Sequence, residues 1–563
     1  MKLDHNLPVK VFVPGRKYFG HTTLSDLSLH SVSPIEKSSD HRCPDPKRDN
    51  PKKEQIMAEK WPPDGMIRST DVVSIRLSMF GPERYRCPAA DALQAHGFVP
   101  RKRAARKPEK LEQFPHGPFM AALDQVERPA DEPLSQRRSH DGVRQWTQHA
   151  LAMYGKAFPP ASDLRPARRH WVYRHRRGDG VKYQISAWGR CFESSDGRQR
   201  ELRLPTNRLR PRTKVERAVA ALITAEADPD LRLERVRVVQ FSLSDGQVDT
   251  IFDGTREEAL SAYRTDGARA VRALLDNREY QPGSACGTCA ASPVCPALPA
   301  APGLLGISDR TRPRRSWSPT TGNGYEKCPA RAHMRGLRLP VNDAVERNAD
   351  AERGRAIHAF LAAQHRRRPS RPCGLDIPQD WMPDGFKLPV KEQRLGAELL
   401  RHHAEVCPMR MSASESEIRI EPALAFDDSA ADLLVLTDPD LLYQDGDTWV
   451  WRETKTSRWN RPCRDVLTRY PQVALAVRII GAGLLSGPSL RGRVELELLQ
   501  PAGVDFHLID PFAPSVRSAA ETALREQVSG WHADGAFDAV PGPECKTCEV
   551  SRWCSKRATE AAP

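Results

Sequence analysis

Apolar and polar positions change rhythm repeatedly along this chain, and each rhythm predicts an element. YQISAWGRCF (183–192) and RELRLP (200–205) read as strands joined by a Ser-Asp-Gly turn at 195–197, and RVRVVQFSLSDG (235–246) as a further strand and turn. TREEALSAYRTDGARAVRALL (255–275) switches to helical spacing, with Thr255 as N-cap and Glu258 three residues on. The second half repeats this order. RGRAIHAFLAAQHR (353–366) has a helical period. EIRIEPALAF, PDLLYQDGDTWVWRETKTS and RVELELL read as strands, and SVRSAAETALREQVSGWHADG as a closing helix.

Each closing helix leads into the same cysteine cassette. P-G-S-A-C-G-T-C-x5-C places Cys286, Cys289 and Cys295, and P-G-P-E-C-K-T-C-x5-C places Cys545, Cys548 and Cys554. Three thiolates complete neither a tetrahedral metal site nor the four corners of an iron–sulfur cube, so each cassette asks for a fourth ligand from elsewhere. Cys87 and Cys328 stand early in the two halves, and the spans 87 to 286 and 328 to 545 are nearly equal. An internal duplication is expected.

The expected organisation is an arm over 1–65, a first module over 66–300, a Pro/Ala/Gly linker at 301–306, a second module over 307–557 and a tail at 558–563. The arm is polar and Pro-, Lys- and Asp-rich without sustained periodicity, so it reads as disordered or loosely attached. A start at Met66 would lose little of this plan, and the upstream segment is read as an extension from a misassigned gene start.

At 563 residues, 39% hydrophobic and 28% charged, the chain can bury real cores in more than one domain. No apolar run approaches a membrane span, and no signal-peptide core opens the chain, so a cytoplasmic protein is expected. In a reducing compartment its 13 Cys are read as thiols or metal ligands rather than disulfides. The 86 Lys and Arg exceed the 72 Asp and Glu for a net charge of +14, which points to a polyanion, and nucleic acid is the expected partner. Three basic stretches stand in the first half, at 101–110, 164–177 and 203–217. Trp171 and Tyr173 lie within the second, either to stack on bases or to be buried in the core.

The hairpin around Asp445 and Gly446 carries candidate chemistry. Asp440 belongs to its first strand, and Glu453 and Lys455 share one face of its second with Trp449 and Trp451. Two carboxylates on adjacent strands suit Mg²⁺ or Mn²⁺, and a lysine beside them can orient water and offset charge on phosphate. E-x-K alone is a common pattern of a solvated strand face. Its value comes from the ordered set around it: Asp440 thirteen positions before Glu453, the turn between them, and Gly354-x-x-x-His358 on the upstream helix.

In that order these motifs resemble the PD-(D/E)XK nuclease superfamily, in particular its RecB-like branch with a cysteine-ligated cluster. The resemblance covers about 307–557. It runs from S-x-S…Y-x-x-C-P ending at Cys328, through G-x-x-x-H and P-D…E-T-K-T, to C-x2-C-x5-C. It implies an α/β fold with a restriction-endonuclease-like core, a central mixed sheet flanked by helices, here duplicated. It implies DNA phosphodiester hydrolysis in repair, recombination or defence against foreign DNA, with Asp440, Glu453 and His358 as metal ligands and Lys455 as the catalytic lysine. It further implies a [4Fe–4S] cluster on Cys328, Cys545, Cys548 and Cys554, and a second where Cys87, Cys286, Cys289 and Cys295 match the same pattern. One departure is that Gln472 stands where the family often has Q-x-x-x-Y, but Ala476 replaces the tyrosine. Asp438 is the alternative to Asp440.

The first half resembles the family in outline only. Glu201-Leu-Arg203 stands where E-x-K would, no well-placed Asp precedes the turn, and Arg is not an adjustable base. A degenerate copy that holds DNA is expected. No Walker A motif is present, so unwinding would need a helicase or ATPase partner. The competing expectation is a non-catalytic nucleic-acid-binding scaffold whose cassettes bind zinc, which the cysteine spacing also suits.

Overall fold

The computed structural model describes residues 61–557 apart from 83–85, 102–115, 128–138, 160–162, 168, 177–179, 228–231, 347, 411–416, 447 and 486–491. Residues 1–60 of the expected arm, the tail 558–563 and nearly all of the basic stretch 101–110 lie outside the described residues. The arm's last residues are fastened: Trp61 packs edge-on to Phe98 with centroids 6.4 Å apart, under the guanidinium of Arg278 at 4.1 Å.

The strands of the first half are β1 (Met66–Arg68), β2 (Val73–Arg76), β3 (Phe98–Pro100), β4 (Leu164–Pro166), β5 (Val172–Arg176), β6 (Lys182–Ser186), β7 (Arg190–Ser194), β8 (Gln199–Thr206), β9 (Arg235–Ser242) and β10 (Val248–Gly254). Those of the second half are β11 (Arg315–Trp317), β12 (Ile418–Ile420), β13 (Leu424–Asp428), β14 (Leu433–Thr437), β15 (Leu441–Asp445), β16 (Thr448–Thr456), β17 (Gly492–Gln500) and β18 (Gly503–Ile509). Apart from the pair β1–β3, they form two sets with one connectivity. A three-stranded sheet in the order β2-β6-β5 has its counterpart in β11-β14-β13, each with one parallel and one antiparallel pairing. A five-stranded sheet in the order β4-β7-β8-β9-β10 has its counterpart in β12-β15-β16-β17-β18, with β8–β9 and β16–β17 the parallel pairs. These mixed sheets with helices against them are the α/β, restriction-endonuclease-like architecture expected from the motifs. Both hairpins turn through a glycine in the left-handed region, Gly197 at φ +74° and Gly446 at φ +60°, which a side chain would strain.

The parallel pair decides the environment of β16. A parallel connection needs a crossover, and here the helix Pro471–Gly481 supplies it, packing with the helix Pro514–Ala533 over one face of the sheet. Trp449 and Trp451 sit in that core with Val473, Leu496 and Leu524. The helices Ala349–His365 and Val390–Val406 cover the opposite face around Val450 and Leu499. With both faces covered, eight of the nine β16 residues are buried, charged ones included, so the E-x-K pattern is not a solvated strand face.

The two cassettes cross over between the halves. Cys286 packs with Leu298, Ala425 and Leu434 against the small sheet of the second half. Trp553 packs edge-on to Trp146 of the helix Asp141–Ala157 in the first half, centroids 5.0 Å apart, in a core shared with Phe119, Phe241, Met334 and Val550. Residues 301–306, expected to link the modules, are a fastened strap. Leu304 and Leu305 are buried in the second core, and the Asp428 carboxylate accepts from the amides of Gly303 at 2.7 Å and Leu305 at 3.0 Å. Trp171 is 3% exposed and belongs to the first core, so it cannot stack on bases; the burial alternative holds. Tyr173 packs on the same core, and burial pushes its phenol up to about 12. Among the described residues no helix is long and apolar enough to cross a membrane.

Candidate active site

Register brings the acidic residues together. Leu441 faces Arg452 across the antiparallel β15–β16 pair, so Asp440, one step before β15, comes level with Glu453. The Thr454 amide donates to Asp440 Oδ2 at 3.0 Å, and the Trp451 indole Nε1 donates to Glu453 Oε1 at 3.0 Å. Each carboxylate is thus held by its neighbour's backbone or ring. The orienting role of Trp451 has no sequence signal beyond its position two residues before Glu453 on the same face.

Lys455 lies between the two acids, with Nζ 2.7 Å from Glu453 Oε2 and 3.4 Å from Asp440 Oδ2. His358, on the helix Ala349–His365, brings Nδ1 to 3.3 Å from the other Asp440 oxygen. Asp440, Glu453 and Lys455 are all buried. Two carboxylates and one ammonium leave an excess negative charge in a desolvated place, which favours a further cation. Carboxylate oxygens with one imidazole are a donor set suited to Mg²⁺ or Mn²⁺.

The structure therefore gathers His358, Asp440, Glu453 and Lys455. Gln472 is half-buried in the first turn of the helix Pro471–Gly481 and takes no part in the hydrogen bonds described above. Ala476, at the tyrosine position, is buried in the core. Tyr470, which sequence reasoning passed over, lies close enough to feel the Lys455 charge, while burial raises its phenol pKa.

At the matching place in the first half the chemistry differs. Glu201 is buried on β8, but Arg203 Nε donates to one oxygen at 2.6 Å and Arg237 Nη1 to the other at 2.7 Å. Its in-register partner on β7 is Phe192, an apolar ring where the second half has a carboxylate. The Arg203 guanidinium is stacked over Phe192 and Phe158, 3.7 and 3.8 Å from their centroids. Both oxygens of Glu201 are occupied, and its cross-strand partners on β7 and β9 are Phe192 and Arg237.

Both four-cysteine sets also assemble. Cys328, Cys545, Cys548 and Cys554 line one pocket together with Lys327 and Arg331. The amides of Val540 and Gly542 point at Cys328 Sγ (3.5 Å) and Cys545 Sγ (3.4 Å). In the first half the amides of Gln281 and Gly283 point at Cys87 Sγ and Cys286 Sγ, each at 3.4 Å. Burial pushes Cys289, Cys295 and Cys548 up to about 11.

Residues 316–555 match the PD-(D/E)XK nuclease superfamily. The superfamily match begins within β11, ends one residue after Cys554, and takes in His358, Asp440, Glu453, Lys455 and the second cysteine set. No curated protein matches the chain. Proteins of the PD-(D/E)XK superfamily are generally metal-dependent nucleases that use ions such as Mg²⁺ or Mn²⁺, and the matched domain has a donor set of that kind.

The first-half pairing carries a prediction. Glu201→Gln removes the one carboxylate charge shared by buried Arg203 and half-buried Arg237. It should cost about 3 kcal/mol of stability, as broken buried pairs do. Any cleavage activity per folded molecule should be unchanged. Chemical denaturation and an assay of the same preparation check both, and lost activity in folded protein would contradict the reading of Glu201 as a structural residue.

Proposed function

We propose that the second half is a RecB-like deoxyribonuclease and the first half a degenerate copy of it, with the module boundaries expected from the sequence. The observation that carries this reading is the group of buried Asp440, Glu453 and Lys455 with half-buried His358 beside them, set against Glu201 with both oxygens taken by arginines. Asp440, Glu453 and His358 would hold Mg²⁺ or Mn²⁺, which when bound supplies Lewis-acid activation of water and phosphate. Thr454 and Trp451 keep the carboxylates from swinging away. Lys455 presents its ammonium beside both acids, where it can donate to the attacking water or to a phosphate oxygen and stabilise the charge that grows there. Gln472, at the start of its helix, is the candidate for a DNA contact.

The cysteine sets are read as [4Fe–4S] sites. Four sulfurs around one zinc ion lie about 3.8 Å apart, given Zn–S near 2.3 Å. The one metal-ligating group found among the described residues with all its atoms within 4.8 Å contains none of these eight cysteines, and the wider spacing suits a cubane. Lys327 and Arg331 beside the second set offset the charge of four thiolates. The net charge of +14 supports a DNA substrate. Repair, recombination and defence are the processes that use such an enzyme, and a helicase or ATPase is the partner that would feed it unwound DNA.

The test is degradation of end-labelled linear DNA, single- and double-stranded, by anaerobically purified full-length protein. Cleavage is expected with Mg²⁺ or Mn²⁺ and should be abolished by EDTA. If no DNA is cut with either ion, the nuclease reading falls and the scaffold reading takes its place.

A further inference from the structure

A fourth group of metal-ligating side chains lies away from both cysteine sets and outside the carboxylate site. His365 ends the helix Ala349–His365, and Cys373 sits in the connection that follows. His403 lies in the last turn of the helix Val390–Val406, and Cys407 follows that helix directly. All four are buried, from 1% to 5% exposed, and one ligand atom from each lies within 4.8 Å of the others. His365 Nε2 is 3.5 Å from Cys373 Sγ and 3.8 Å from Cys407 Sγ.

We propose that His365, Cys373, His403 and Cys407 form a structural Zn²⁺ site of the Cys2His2 type. Tetrahedral zinc, with Zn–S near 2.3 Å and Zn–N near 2.0–2.1 Å, puts neighbouring N and S ligands about 3.6 Å apart, as these pairs already are. The set has outer partners of the kind a metal site needs. Glu497 Oε1 lies 2.7 Å from His403 Nδ1, which fixes the ring and leaves Nε2 as the ligand, a buried nitrogen that makes no hydrogen bond. The Cys373 amide points at Cys407 Sγ at 3.4 Å. Two thiolates and two imidazoles in a closed, buried tetrahedron favour zinc over the hard ions of the carboxylate site.

The ion would staple a helix–loop–helix. It would also set the geometry of the carboxylate site without touching it. His358 lies two turns before His365 on one helix, and Glu497 accepts from Thr454 Oγ1 at 3.1 Å on the strand between Glu453 and Lys455. His365 and the other three are therefore positioning residues.

The proposal does not rest on nuclease activity, and its readout is metal content. Full-length protein should carry one zinc per chain by elemental analysis, over and above any iron. X-ray absorption at the zinc edge should show two sulfur and two nitrogen neighbours. Cys373→Ser and Cys407→Ser should each lose the zinc and keep the iron, Cys545→Ser should keep the zinc, and His365→Cys should retain it. An all-sulfur zinc shell, a zinc-free protein that takes up no Co²⁺ with thiolate-to-metal absorption, or a Cys373–Cys407 disulfide would each overturn the proposal. The absorption measurement uses the unaltered chain, so a variant that fails to fold does not remove the test.

Discussion

Lys455→Ala is expected to lower Mg²⁺- or Mn²⁺-dependent DNA cleavage by about 10²–10³-fold, the usual cost of losing one aligned charge-stabilising donor. The ammonium is within 2.7 Å of Glu453 and 3.4 Å of Asp440, so the alanine leaves two buried carboxylates facing each other without a counter-charge. The variant should therefore be less stable without metal and gain more from added Mn²⁺ than the original chain does, since an ion bound only by the folded state stabilises it. DNA affinity should hardly change, because the charge removed is one among 86 Lys and Arg. Lys455→Arg should fail almost as badly, because the longer planar group cannot fill the same gap. Single-turnover cleavage with a parallel binding measurement checks all of this. Equal rates for the original and the alanine variant would remove Lys455 from the chemistry.

Cys545→Ser should remove about four iron atoms per chain and leave those of the other set, if each four-cysteine group holds one cubane. The effect should extend beyond the metal. The second cassette packs Val550 and Trp553 into a core built from both halves, and the first places Cys286 on the small sheet of the second half. Loosening either cassette should therefore lower the melting temperature of the whole molecule by a few °C, at about 1 °C per kcal/mol lost for an unfolding entropy of about 2.1 cal/mol/K per residue. Iron analysis and calorimetry on anaerobic samples test this. Retention of all iron in Cys545→Ser would refute its role as a ligand.

The parts legible in the sequence were those with a short period or a short spacing. Alternation and turn residues placed the hairpins, Thr255 and Glu258 form the expected capping box, and the repeated cassettes announced a repeated plan. The burial of β16 on both faces was not legible, because it depends on helices brought in by the crossover after the strand. The same limit hid the fate of Trp171, whose basic neighbours suggested a surface while its ring belongs to the first core. His365 and Cys373 went unseen for another reason. Cys407 follows His403 at a helical spacing, but the other two ligands reach them only once two helices pack together. Glu497, their outer partner, reads in sequence as one more charge on a strand.

The exchange of cassettes between the halves has a bearing on inheritance. If the first half is the degenerate copy proposed above, which keeps Glu201 but has Phe192 for the second acid and Arg203 for the lysine, it would ordinarily be free to decay or be deleted. Here its helix Asp141–Ala157 is the surface on which Trp553 rests, so mutations that erode the first half would be felt by the other half through that contact. Selection for the second site would then act on residues of the first that touch no substrate, and a gene trimmed to its second half would encode an exposed tryptophan rather than a smaller enzyme.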